Sequence, residues 1–172
     1  VRNMKKKTDI LIVGTGVGGL FCALNLPRDK EILMITKDEA KNSDSYLAQG
    51  GICMLRSESD YDSYYEDTMR AGHYKNREES VDIMIRSSQD IIRDLIGFGV
   101  DFATENGELA FTREGGHSRP RILFHEDITG EEITEKLLEE VKRRSNITIL
   151  EHVTMIDLVC QDNICYGTVC RA

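Results

Sequence analysis

The sequence has no long apolar run, no surplus of positive charge, no Cys-x-x-Cys pair and no repeated or low-complexity segment. Each absence removes a class of function. No stretch approaches the ~20 apolar residues of a membrane-spanning helix. No apolar segment follows the basic residues Arg2 and Lys5 to Lys7 as a secretory signal requires, so they read as a solvated leader. With 22 Lys and Arg against 30 Asp and Glu, the formal charge is −8. That balance excludes a general nucleic-acid or anionic-membrane partner, which would need clustered cations. The 5 cysteines, an odd number, fit a reducing cytoplasm. Cys160, Cys165 and Cys170 recur in what reads as β structure, without metal-ligand spacing, so no metal site is expected. What remains is 172 residues, 40% hydrophobic and 30% charged, enough for one soluble α/β domain with a sizeable core.

The informative stretch comes first. Ile10 to Val13 is an unbroken aliphatic run, expected to be a strand buried on both faces. Gly14, Gly16 and Gly19 follow in the spacing G-x-G-x-x-G, and a helical pattern through Leu20, Ala23 and Leu24 starts there. In such a motif the first glycine permits a tight turn, the second lets the backbone approach a pyrophosphate, and the third lets helix and strand pack closely. The helix start offers unpaired N–H groups and the positive end of its dipole to phosphates. A second apolar strand, Ile32 to Ile35, lies at the distance a dinucleotide-binding unit requires. That strand should end in an acid to bond a ribose hydroxyl. Thr36 and Lys37 stand there instead, with Asp38 next. Lys37 suits either a 2′-phosphate or the flank of an adenosine, with Thr36 serving the ribose.

Beyond it the chain alternates polar loops with amphipathic segments. Residues 37–52 form a polar loop with small groups at Ser43, Asp44 and Ser45, and with Ala48-Gln49-Gly50-Gly51 as a second place of close backbone approach. Asp60 to Gly72 reads as a short helix with Tyr64, Tyr65, Thr68 and Met69 on one face. A longer helix follows, opened by a capping box of Asn76 and Glu79, with a core face of Val81, Met84, Ile85, Ser88, Ile92, Leu95 and Ile96, and stopped by Gly97 and Gly99. Asn106-Gly107 signals a turn. Arg113, Glu114, His117, Arg119 and Arg121 then crowd around Gly115-Gly116, either as an ion-paired surface loop or as a loop presenting a carboxylate and cations to a charged substrate. A helix opened by Asp127, Thr129 and Gly130, with Thr129 and Glu132 as capping box, carries the stripe Ile133, Leu137, Leu138 and Val141. Ile147 to Leu150 is a third buried strand, completing β-α-β around a long insertion. An alternating tail turns at Asp162-Asn163, a hairpin and the start of a β-meander.

Three segments in this order and spacing, GTGVGG, NSDSYLAQGGI and TREGGHSRPRIL with DITG after it, resemble the L-aspartate oxidases of the succinate dehydrogenase/fumarate reductase flavoprotein superfamily. The resemblance covers nearly the whole chain from Asp9. It implies a Rossmann-like FAD-binding domain of α/β class, with a parallel sheet and the start of a β-meander. It also implies FAD as cofactor and oxidation of L-aspartate to iminoaspartate, the first step of quinolinate and NAD biosynthesis. The reaction would be hydride transfer from the substrate Cα, with oxygen or fumarate as final acceptor. Carried over by position, Gly14, Thr15, Gly16, Val17, Gly18 and Gly19 would hold the pyrophosphate, and Lys37 would lie at the adenosine end, which removes most of the case for NADP. Asp44, Ser45, Gln49, Gly50 and Gly51 would wrap the cofactor toward its isoalloxazine. The dehydrogenases of the superfamily carry FAD on a histidine of this loop. Asp44 and Tyr46 occupy that neighbourhood here, so the expected FAD is non-covalent.

Glu114 is the residue expected to choose the substrate. A site for a dicarboxylate is built from cations, and an added carboxylate repels succinate by about 1 kcal/mol or more. Aspartate brings an ammonium group that turns the repulsion into attraction, so Glu114 is expected to orient it. His117 and Arg113 are expected to shape the loop, and His125 has no assigned role. The resemblance further implies that a capping domain and the rest of the FAD domain, with the catalytic arginine and carboxylate-binding residues, lie outside residues 1–172. The expectation is then an N-terminal portion that is inactive by itself, binds FAD weakly and self-associates through exposed apolar surface. Two alternatives stay open: a succinate dehydrogenase or fumarate reductase flavoprotein subunit, and a non-catalytic dinucleotide-binding module.

Overall fold

The computed structural model describes residues 5–172. In chain order its elements are β1 (Ile10–Val13), α1 (Val17–Asn25), β2 (Ile32–Ile35), β3 (Ile52–Cys53), α2 (Tyr61–Ala71), α3 (Glu78–Gly97), β4 (Thr104–Glu105) and β5 (Glu108–Leu109). They continue with β6 (Ile122–Leu123), α4 (Thr129–Arg143), β7 (Ile147–Leu150), β8 (Thr154–Gln161) and β9 (Ile164–Arg171). A 3-10 turn, Glu58–Asp60, leads into α2. The chain divides into two units. One comprises the residues up to Leu47 together with Thr134–Ala172, and the other is the continuous stretch Ala48–Ile133.

The first unit is built on a parallel sheet in the order β1-β2-β7, with Ile10 opposite Ile32 and Ile32 opposite Ile147. β2 is the middle strand, and its Ile32, Met34 and Ile35 are buried. β1 departs from the expectation of burial on both faces: Ile10 to Ile12 are half-buried and Val13 is 50% exposed. The reason is its place at the edge of this sheet, where only β2 pairs with it among the described residues. Leu20, Ala23 and Leu24 form the buried face of α1, and Leu137, Leu138 and Val141 that of α4. β8 and β9 form an antiparallel hairpin closed by Asp162 and Asn163, whose φ angles of 50° and 60° fit a two-residue turn. Ile156, Leu158, Ile164, Tyr166 and Val169 of the hairpin are exposed.

In the second unit α2 packs on α3 through Leu55, Tyr64, Met69, Val81 and Ile85. The core face of α3 is narrower than its apolar pattern, since Met84 and Ile96 are 45% and 44% exposed while Val81, Ile85, Ser88, Ile92 and Leu95 are buried. Neither expected capping box forms. Asn76 turns its amide back to the Thr68 carbonyl at 3.5 Å, lying against Gly72, and Arg77 takes the position before α3. Thr129 Oγ1 instead accepts the His125 N–H at 3.0 Å, and Glu132 accepts the Asp101 N–H at 2.9 Å. Asn76 and Thr129 are thus taken by groups that precede them by eight and four residues, and Glu132 by one 31 positions away. The Asn106-Gly107 turn joins β4 to β5 as expected.

Candidate functional site

Close approach of backbone shapes the turn from β1 into α1. Gly14 adopts a φ of +103°, which admits the turn. A side chain at Gly19 would place its Cβ 2.3 Å from the Gly14 carbonyl oxygen, so helix and strand meet only through glycine there. Ser45 Oγ accepts the Val17 N–H at 3.2 Å and lies 3.0 Å from where a Cβ of Gly16 would sit. With Val17 so engaged, the Gly18 and Gly19 N–H groups have no acceptor among the described residues at the start of α1, and a Cβ at Gly18 would meet open space. Thr15 is 2% exposed and its hydroxyl oxygen has no partner among those residues. Free N–H groups, open space above them and an orphaned hydroxyl make an anion cradle.

The segment after β2 is arranged around backbone. Thr36 continues the sheet, its N–H bonded to the Leu150 carbonyl at 3.0 Å and its carbonyl accepting from Val153 at 2.8 Å. Lys37 is exposed and projects from this fixed point. The Glu39 N–H, and after it the Asn42 side chain, hold the Asp38 carboxyl below its ordinary range. Asp44 is exposed.

In the second unit Gly51 has its own requirement. A Cβ there would stand 2.2 Å from the Leu123 carbonyl oxygen and 2.4 Å from Ile122 Cγ2, so β3 can pair with β6 only with glycine before it. Gln49 and Gly50 are exposed. The Gly50 Cβ position is 3.5 Å from Glu114 Oε2, which brings together two places the sequence keeps more than sixty residues apart. Glu114 begins a turn closed by the His117 N–H on its carbonyl at 3.3 Å, with Gly116 at φ +87°. The base of this loop is the Thr112–Ile122 bridge, with bonds of 2.9 and 3.1 Å. The Glu114 carboxylate is exposed and has no hydrogen bond or ion pair among the described residues.

Arg121, the last cation of this loop, faces inward and is fully buried. Its five N–H donors are all used. Nε and Nη2 donate to the two oxygens of Asp60 at 3.1 and 2.9 Å, and Nη2 also to Ser63 at 2.9 Å. Nη1 donates to Asp67 Oδ2 at 2.7 Å and to His117 Nδ1 at 3.1 Å. Arginine offers no acceptor, so the His117 proton sits on Nε2, directed at Cys53 Sγ 3.4 Å away. The guanidinium stacks 4.9 Å from the Tyr64 ring centre. Asp67 Oδ2 also accepts the N–H and hydroxyl of Ser118, both at 2.7 Å. Burial pushes the Asp67 carboxyl up, but the Ser118 bonds and Arg121 outweigh it and hold the group far below the carboxylate range. Asp60 follows the same balance, burial against Arg121 and Ser63. Burial raises the Cys53 thiol, so it is not a ready nucleophile.

Residues 9–172 match the FAD-binding-domain family. The chain belongs to that family. It is 44% identical over 166 residues to an L-aspartate oxidase of Clostridium perfringens, a match covering 96% of this chain and 38% of the relative. The Clostridium acetobutylicum L-aspartate oxidase is 46% identical over 165 residues, covering 95% and 38%. This chain therefore spans under half the length of these relatives. Among solved structures, the FrdA chain of E. coli quinol fumarate reductase superposes with a TM-score of 0.89 at 23% identity, covering 95% of this chain and 29% of that one. A flavocytochrome c3 fumarate reductase gives 0.85 at 20%, covering 98% and 31%. At these identities the likeness shows the fold, which is the α/β FAD-binding fold with its parallel sheet.

The residues of the FAD-binding domain fit an adenine dinucleotide at the glycine loop: the cradle, the free N–H groups and the orphaned Thr15 hydroxyl are what a pyrophosphate takes up. Two expectations need correction. Arg121 belongs to the buried cluster, not to a cationic face of the loop. Arg113 is exposed and makes no hydrogen bond or ion pair among the described residues, so it does not shape the loop, whereas His117 does. Asp60 and Asp67 were invisible as partners in the sequence, because an acid just before α2 or midway along it, among other polar residues, gives no sign that it is buried. No helix among the described residues is long and apolar enough to cross a membrane, and no His, Cys, Asp and Glu group among them could hold a metal.

Proposed function

We propose that the full-length protein oxidises L-aspartate to iminoaspartate, the entry step to quinolinate and NAD, in the cytoplasm. FAD, when bound, would supply the redox chemistry by which a hydride leaves the substrate Cα. The chain's own residues bind and orient. Gly14, Thr15, Gly16, Val17, Gly18 and Gly19 hold the pyrophosphate, and Lys37 lies along the adenosine. Asp44, Ser45, Gln49, Gly50 and Gly51 line the path toward the flavin. No histidine occurs in residues 37–52, which supports a dissociable cofactor. Oxygen or fumarate would serve as the final acceptor. The reading is supported by the names of the two clostridial relatives.

One observation carries the choice of substrate. Glu114 has a carboxylate that nothing among the described residues neutralises, held by its loop beside Gly50. An uncompensated carboxylate favours an ammonium group and opposes a plain dicarboxylate by about 1 kcal/mol or more. The test is peroxide release and flavin bleaching by the full-length protein with L-aspartate. Glu114→Gln should lower kcat/KM for aspartate by about tenfold or more, the effect of removing a charge-assisted bond. Reduction of the flavin by succinate with aspartate inert would overturn the assignment. Acid precipitation should leave the flavin in the supernatant, and yellow colour retained in the pellet would refute a dissociable cofactor.

A further inference from the structure

Glu114 stands on a loop that two glycines should leave mobile, yet the residues that follow them are tied down. His117 is held between Arg121 and Cys53, at 3.1 and 3.4 Å. Ser118 gives both its N–H and its hydroxyl to Asp67. Asp67 is in turn bound to Arg121, which Asp60 holds from the other side. The Glu114 carbonyl closes the turn onto the His117 N–H, and the other limb is closed by the Thr112–Ile122 bridge. Of the two residues that anchor this turn, Ser118 therefore ends directly on one carboxylate, Asp67 of α2, and His117 reaches the same carboxylate through Arg121 while also touching Cys53. A buried ion cluster is weak evidence for stability as such, because apolar residues can often replace it. Its geometric specificity is the stronger reason to keep it, since the bonds fix a loop in one position.

We infer that Asp67, through Ser118 and Arg121, is a positioning residue that sets the Glu114 carboxylate where it reads the substrate ammonium group. The inference rests on the proposed oxidation of aspartate. Asp67 touches no substrate; it acts by removing the freedom that Gly115 and Gly116 would otherwise give the loop. Two conformational costs then fall before binding instead of during it, which is the usual gain from preorganisation.

The test uses the full-length, FAD-loaded protein with Asp67→Asn and Ser118→Ala beside wild type and Glu114→Gln. For the substitutions at 67 and 118, KM for L-aspartate should rise by about tenfold or more while kcat changes less. Inhibition by succinate, which has no ammonium group and is repelled by the Glu114 carboxylate, should not weaken and should tighten by up to about fivefold as that carboxylate is released. Hydrogen exchange in the peptide spanning 112–121 should speed up in both variants, with the flavin spectrum unchanged. If Asp67→Asn fails to fold, Ser118→Ala decides alone, because it keeps all the Arg121 ion pairs. Wild-type KM for aspartate in Ser118→Ala, with or without faster exchange, overturns the positioning role while leaving the aspartate reading intact. A wild-type protein that does not oxidise aspartate, or Glu114→Gln that oxidises it normally, overturns the aspartate reading itself and the positioning role with it.

Discussion

Arg121 Nη1 reaches Asp67 Oδ2 at 2.7 Å across 54 positions of sequence, with both side chains almost wholly withdrawn from water. Cutting one partner leaves the other charged and buried. Asp67→Ala should therefore destabilise the protein by about 3–5 kcal/mol in urea unfolding. The exposed pair of Arg93 with Asp90, at 2.9 Å, provides the contrast, and Asp90→Ala should leave the midpoint within experimental error.

The same cluster sets the acid limit. Asp60 and Asp67 have folded-state pKa values below their ordinary value of 3.8. The unfolded state therefore binds protons first, and the stability these groups contribute is complete above about pH 4 and lost as the pH falls through their lower folded values. Circular dichroism against pH should show wild type losing structure on the acid side, with Asp67→Asn showing a shallower dependence there from a lower starting stability. Equal slopes for the two proteins would contradict an origin in the Asp60–Arg121–Asp67 cluster.

At the glycine loop two neighbouring substitutions should separate folding from binding. Gly19→Ala forces a methyl to within 2.3 Å of the Gly14 oxygen and should cost about 1–3 kcal/mol, measurable by thermal unfolding. Gly18→Ala meets nothing within 4 Å, so the melting point of the FAD-free protein should hold while FAD affinity, read by flavin fluorescence, falls.

Gly51→Ala addresses the other unit. Its Cβ would overlap the Leu123 carbonyl at 2.2 Å, so β3 and β6 cannot keep their register. Limited proteolysis should show faster cleavage between residues 112 and 123 than in wild type.

How much of this was legible in the sequence depends on range. The elements written in local pattern came through: the two aliphatic strands, α1 with its glycines, the Asn106-Gly107 and Asp162-Asn163 turns, and the stripe of α4. The capping boxes at Asn76 and Thr129 did not, because Thr68 and His125, just upstream, took those side chains and distant Asp101 took Glu132. At the site, the glycine loop was readable because its constraints lie within the β1-α1-β2 unit, the Gly14 N–H bond to the Ile35 carbonyl included, apart from Ser45. Asp67 was not, since its role depends on Ser118 and Arg121, and charge patterning carries no record of such distant pairing.

The order β1-β2-β7 has a consequence for the way the protein is made. Ile32 must wait for Ile147 before the sheet has its third strand. At about 5–20 residues per second, a ribosome would leave β2 without that neighbour for several seconds. The intervening stretch Ala48–Ile133 is continuous and can settle as soon as it emerges. Closing so long a loop costs little at equilibrium, only about 0.6 kcal/mol per doubling of length. The delay matters for kinetics, because non-local parallel pairing is slow and leaves apolar strand surface open meanwhile. The strands translated first are thus secured late, and the nascent β1–β2 pair is where chaperone capture and misassembly would begin.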